Sequence, residues 1–136
     1  MISIREIDHL VLRVVDLNAM INFYCQVLGC AIERRQDELG LVQLRAGRSL
    51  IDLVTVDGKL GFQGGAAPGP EGRNVDHFCL RVEPFDPETI YEHLNRYGVQ
   101  ADEIASRYGA EGEGPSIYLK DPENNLVELK GPPTLS

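Results

Sequence analysis

The sequence predicts an α+β fold: a single domain, residues 1–136, built from two tandem βαβββ modules, 5–56 and 75–131, with a linker at 57–74. Three observations predict it. The strand Ile7-Asp8-His9-Leu10-Val11-Leu12-Arg13-Val14 returns 68 positions later as Val75-Asp76-His77-Phe78-Cys79-Leu80-Arg81-Val82; five of the eight residues are identical and the rest are apolar in both copies. Each copy is followed by one stretch with helical apolar spacing that stops at a glycine. Each half then closes on an apolar strand holding a single acid, Asp52 in the first and Glu128 in the second. A period this long is that of a duplicated module and not of a solenoid.

The opening strands alternate. Leu10, Leu12 and Val14 share one face, and His9, Val11 and Arg13 the other; in the second copy Phe78, Leu80 and Val82 oppose His77, Cys79 and Arg81. One face packs under a helix and the other carries a histidine and an arginine. Asp16 is placed to cap a helix over 17–28, whose stripe is Leu17, Met20, Ile21, Tyr24, Val27 and Leu28 before Gly29. Asp86 and Pro87 open the second helix, with Ile90, Tyr91, Leu94 and Tyr97 as its stripe before Gly98; His93 falls outside that stripe as a solvated residue. Strands are expected at 31–35, 40–45 and 49–56 in the first module, and at 100–104, 116–120 and 126–130 in the second. Residues 121–125 form the turn before the last strand. The stretch 57–74 is rich in Gly and Pro and reads as a partly mobile linker, and 109–115 as a second glycine-rich loop. Neither loop has phosphate-loop spacing.

Composition narrows the partners. With 13 basic and 21 acidic residues the net charge is -8, which disfavours nucleic acid and anionic membrane surfaces. No apolar run approaches a membrane span, and residues 1–6 carry no leader pattern. Cys25, Cys30 and Cys79 are an odd number without CxxC spacing, expected to be small buried hydrophobes in a reducing, cytoplasmic setting.

A carboxylate inside an apolar strand calls for a cation or a hydrogen-bond donor. The repeat relates His9 with Asp52 to His77 with Glu128, and two imidazoles with two carboxylates suit one divalent ion, Zn, Ni, Mn, Fe or Co, with water in the open positions. The plainer alternative is a satisfied polar histidine on each strand, with Asp52 paired to Arg13 or Arg81. Asp8 and Asp76 point to the opposite face and read as strand-start residues.

Three segments, Ile7-Asp8-His9, Asp16-Leu17 through Asn22-Phe23-Tyr24 to Leu28-Gly29, and Tyr118-Leu119-Lys120-Asp121-Pro122-Glu123-Asn124-Asn125-Leu126-Val127-Glu128-Leu129, carry a family resemblance. With them the chain resembles the vicinal oxygen chelate superfamily: glyoxalase I, fosfomycin-resistance proteins, bleomycin-binding proteins and extradiol dioxygenases. It looks most like the short glyoxalase-domain proteins of unassigned activity, some of them labelled virulence-associated. The resemblance implies the glyoxalase-like fold, a curved mixed sheet around a metal cleft, and commonly a homodimer. It implies metal ligands at His9, Asp52, His77 and Glu128, with Glu128 and Asp52 as the proton-moving groups. Asp52 departs from glyoxalase I, where a longer glutamate is typical, whereas His9, His77 and Glu128 alone match the triad of fosfomycin-modifying members.

The leading functional expectation is a metal-dependent enzyme, a lyase or isomerase of the glyoxalase type. Its small-molecule substrate chelates the ion through adjacent oxygens and can be a thiol adduct. Arg13 and Arg81 share the histidine face and are candidates to hold a substrate carboxylate or phosphonate, or else to pair with nearby acids. The alternatives are fosfomycin-type thiol transfer or epoxide opening, ring cleavage by a dioxygenase, and metal-free drug binding.

Overall fold

The computed structural model describes residues 1–134 and divides into two compact units, Met1–Asn74 and Val75–Ser136. Each is a four-stranded mixed sheet with one helical layer on one face, and the two sheets have the same strand order once the repeat is allowed for.

In the first unit the chain runs β1 (His9–Val14), α1 (Leu17–Asn22), β2 (Ala31–Gln36), β3 (Leu41–Ala46) and β4 (Ser49–Thr55). The order across the sheet is β1-β4-β3-β2, with β1 and β4 parallel and the remaining pairs antiparallel. Asp16 caps α1 as expected, its side chain accepting from the Ala19 amide at 3.1 Å. Helical winding does not continue as α-helix to residue 28. It loosens into a π-helical turn, Phe23–Val27, that keeps Phe23 and Tyr24 buried. Leu12, Val14, Met20, Tyr24, Val42, Leu44 and Leu53 are fully buried and form the core between helix and sheet. Leu53→Ala should therefore lower unfolding free energy by about 2–5 kcal/mol in a denaturant titration, the usual loss for an apolar side chain cut out of a close-packed core.

The second unit repeats the plan with β5 (Phe78–Arg81), α2 (Pro87–Arg96), β6 (Ala105–Gly109), β7 (Gly112–Lys120) and β8 (Leu126–Lys130), in the order β5-β8-β7-β6. Leu94 of α2 is buried, as are Ile117 and Leu119 of β7 and Val127 and Leu129 of β8.

Three local expectations are corrected, and the linker is seen in more detail. Asp86 makes no capping bond to the backbone of α2; its carboxylate instead accepts from the Thr89 hydroxyl at 3.1 Å. The sixth strand lies at Ala105–Gly109 and not at 100–104, because Asp102 takes the place of a ladder partner there: its side chain accepts from the Tyr118 amide at 2.6 Å. The glycine-rich stretch 109–115 is no open loop. It is the tip and start of the β6–β7 hairpin, where Gly112, at φ 116°, makes the turn that a side chain would strain. The stretch 57–74 holds a short 3₁₀ turn at Gly61–Gly64 and a Gly69–Gly72 bridge, so it is structured in part. Among the described residues no helix is long and apolar enough to cross a membrane.

Candidate metal and substrate site

In each sheet the helix covers one face, and the other presents the repeated histidine and acid. Residues opposite each other in a ladder share a face. Val11, Asp52 and Gln43 form such a row in the first sheet; Cys79, Glu128 and Tyr118 form its counterpart in the second.

In the first unit Asp52 is buried, 4% exposed. Its Oδ2 accepts from Gln43 Nε2 at 3.2 Å, while its Oδ1, among the described residues, is buried with no hydrogen-bond partner at all. Leaving a carboxylate oxygen in that state costs free energy unless a cation or a donor reaches it. Arg13, in the same unit, is engaged elsewhere. His9 Nδ1 lies 2.7 Å from Asp8 Oδ1, and that hydrogen bond, with the charge of Asp52 behind it, raises the His9 pKa above its ordinary value.

The second unit is more closely knit. His77 Nδ1 lies 2.6 Å from Asp76 Oδ2, and His77 Nε2 lies 3.4 Å from both Glu128 Oε1 and the Tyr118 hydroxyl. Glu128 is buried, 5% exposed. The Tyr118 ring stacks edge-on against His77 and carries the Arg107 guanidinium 4.4 Å from its centroid. Burial, then the neighbouring Glu128 charge, pushes the Tyr118 pKa up, so the phenol stays protonated and donates to Glu128. Cys79 is exposed on this face, against the expectation of burial, yet its sulfur rests against Glu128. Loss of water around the sulfur, with the Glu128 charge adding, pushes its pKa up to about 11. At neutral pH it is therefore a thiol and a weak donor to Glu128, not a nucleophile.

Asp8 and Asp76 are thus more than strand-start residues. Both precede the pleat, since β1 begins at His9 and β5 at Phe78, and each turns back onto its neighbour's ring. A carboxylate only accepts, so Nδ1 carries a proton, and the tautomer this favours leaves the Nε2 lone pair for the open face. The carboxylate–histidine couple is the usual outer support of a metal-ligating imidazole. Sequence reasoning also missed Gln43 and Tyr118. Each lies about one hairpin from its acid, a signal visible only once the antiparallel register is known.

The two arginines are occupied. Arg13 donates from Nε to the Gly61 carbonyl at 2.8 Å and from its two terminal nitrogens to Gly65 and Ala66 at 2.7 and 3.0 Å. It clamps the linker and is not a free anchor, because Gly64, without a side chain, lets the backbone close over the guanidinium. Arg81 donates to Glu111 Oε1 at 2.7 Å and to the Val82 carbonyl.

Among the described residues the candidate ligands come together as pairs, not as a set of three or more His, Cys, Asp or Glu able to hold an ion. The residues nonetheless fit a divalent ion. Asp52 holds an unsatisfied buried oxygen, and His77 Nε2 and Glu128 Oε1, a nitrogen and an oxygen donor suited to such an ion, face each other at 3.4 Å.

Two βαβββ units, each with an Asp-supported histidine and a buried acid on its last strand, place the chain in a class of duplicated α+β proteins. The family described as the Glyoxalase/Bleomycin resistance protein/Dioxygenase superfamily matches residues 6–129, and the chain belongs to it. It is 30% identical over 135 residues to the glyoxalase domain-containing protein RDO1 of Mycosarcoma maydis, covering 94% of this chain and 69% of that one. It is 32% identical to the virulence protein STM3117 of Salmonella typhimurium, covering 93% and 83% of the two chains. The crystal structure of that protein superposes with a TM-score of 0.77, covering 96% of this chain and 99% of the other. An integron cassette protein from V. cholerae superposes with a TM-score of 0.76 at 27% identity, covering 96% and 98%. The superfamily includes enzymes, and its members bind small molecules, often with a divalent metal and often as dimers.

Proposed function

We propose that this protein is a metal-dependent enzyme of the glyoxalase type, a lyase or isomerase. His9, Asp52, His77 and Glu128 are its metal ligands, and its substrate is a small molecule that chelates through adjacent oxygens. The observation that carries this reading is the facing pair His77 Nε2 and Glu128 Oε1 at 3.4 Å, with Asp76 on the far side of the ring. Two ligands of one ion stand about 3–3.5 Å apart when each bond is about 2.1 Å. The orphaned Asp52 Oδ1 supports the same reading from the first unit. The same reading makes the protein a cytoplasmic homodimer.

A divalent ion bound there would supply Lewis acidity toward the chelating oxygens. The remaining chemistry belongs to the chain. Asp8 and Asp76 hold the imidazoles in the Nδ1–H tautomer and aim Nε2 at the open face. Tyr118 and Cys79 donate to Glu128 and hold its carboxylate in one orientation, so that Glu128 takes a proton from a carbon next to a carbonyl and returns it to the neighbouring atom. Asp52, on its shorter side chain and tied to Gln43, is the second group placed to carry a proton.

Elemental analysis of protein purified without added metal tests the reading. About one divalent ion per pair of half-sites, with a rise in melting temperature on adding Zn²⁺, Mn²⁺ or Ni²⁺, is the expected result. An empty protein that gains no stability from any of them would overturn it in favour of metal-free sequestration. With the ion bound, hemithioacetal, epoxide and catechol substrates separate isomerase, fosfomycin-type and ring-cleaving activities. Asp76→Ala should weaken metal affinity about 10- to 100-fold while leaving the fold intact, as loss of an outer carboxylate does elsewhere. Titration calorimetry on the two proteins reads the difference.

A further inference from the structure

Beyond Glu128, β8 ends on a second charged residue of the same face. Lys130 is 5% exposed. Its Nζ donates to the Gly112 carbonyl at 3.0 Å, and among the described residues no carboxylate pairs with it. A buried ammonium with one neutral acceptor is only partly compensated for the water it has lost. The path of its side chain is kept clear by two glycines. A Cβ at Gly109 would stand 2.8 Å from Lys130 Cε, and one at Gly114 would stand 3.0 Å from Nζ.

The surroundings are cationic as well. Arg81 lies opposite Lys130 on one side and Ser116 on the other, so the three form a row across the sheet. Ser116 is fully buried, with Arg107 donating to its hydroxyl at 2.7 Å. The anion that Arg81 meets most closely is the Glu111 carboxylate, at 2.7 Å, and Glu111 sits in the same hairpin tip that offers the Gly112 carbonyl to Lys130.

We propose that Arg81 and Lys130 form an oxyanion subsite, closed in the free chain by Glu111, that receives a carboxylate, phosphonate or phosphate group of a small ligand. Arg81–Glu111 is an exposed pair, of the kind worth about 0–1 kcal/mol, so an incoming oxyanion displaces Glu111 at little cost. The unused N–H groups of Lys130 then complete charge-assisted hydrogen bonds in a site already stripped of water. The row Cys79–Glu128–Tyr118 lies two residues away along the strands, about 7 Å. The preferred substrate therefore carries its anionic group about 7 Å from its chelating oxygens. That last step rests on the function proposed above, whereas the subsite itself does not.

The test titrates inorganic phosphate into chelator-treated protein by calorimetry, with the wild type, Glu111→Gln and Lys130→Met compared. Removing the competing carboxylate in Glu111→Gln should tighten phosphate about two- to fivefold. Lys130→Met should weaken it at least about tenfold, the loss of a hydrogen bond between charged groups. Unchanged or weaker binding by Glu111→Gln, or no heat from either protein at tens of millimolar phosphate, overturns the proposal. So does a folded Lys130→Met protein of wild-type affinity. If Lys130→Met fails to fold, the sign of the Glu111→Gln effect decides. Repeating the titrations with divalent metal separates the two readings. Phosphate binding that responds to both substitutions in a protein that takes up no metal sinks the enzyme reading alone; metal uptake with phosphate binding indifferent to both sinks the subsite alone.

Discussion

His77→Ala is expected to abolish divalent-ion binding and, with it, the stability the ion confers. At an ion concentration one hundred times its dissociation constant, binding contributes about 2.7 kcal/mol, about 10 °C in melting temperature for a domain of this size. The wild type should show that rise and His77→Ala should not. Without metal the two proteins should melt within about 1 kcal/mol of each other, because the His77 side chain is one-third exposed and packs mainly on Tyr118. A His77→Ala protein that keeps both its metal content and its thermal shift would remove Glu128 and its neighbours from the site.

Asp121→Ala should produce the largest loss of stability among the polar substitutions. The Asp121 carboxylate is buried and accepts from the Glu123 amide at 2.9 Å, the Asn125 amide at 3.0 Å and the Asn125 side chain at 2.8 Å. These bonds close the turn that brings β8 back beside β7 and sets Glu128 opposite Tyr118. Removing the acceptor strands two buried donors and one part-buried one, a loss of about 2–4 kcal/mol. Asp121→Asn keeps one acceptor oxygen and should lose roughly half as much. Denaturant midpoints compare the two. An alanine variant as stable as the wild type would show that β7 and β8 hold their register without the turn.

The Asp-Pro-x-x-Asn pattern was legible in the chain, and so was the turn it makes, because the chemistry is local: one side chain meets backbone amides two and four residues on. The same holds for the Asp16 cap and for β8, whose bounds match the apolar run around Glu128. Asp86 shows where such reading stops. It stands in the right place for a cap, but the nearby Thr89 hydroxyl takes its carboxylate instead. Likewise nothing local in the stretch 100–104 announces that Asp102 will occupy the Tyr118 amide and end the ladder; that depends on a residue sixteen positions away.

The candidate site divides along the same line. Duplication, period-two alternation and the rarity of acids in apolar strands were enough to single out His9, Asp52, His77 and Glu128, since each is a property of a short segment. The partners that give those residues their chemistry were not legible. Gln43 and Tyr118 reach their acids only through antiparallel register, Asp8 and Asp76 fold back because the strands begin two and three residues later than the repeat implies, and Arg13 is drawn to carbonyls of a linker some fifty residues on. The sequence by itself determined the two βαβββ modules and the acids and histidines they share. The tertiary structure alone decided which oxygen is left unsatisfied, which imidazole nitrogen faces out and which cation meets only a neutral carbonyl, because those follow from hydrogen-bond partners brought together across the sheet and not along the chain.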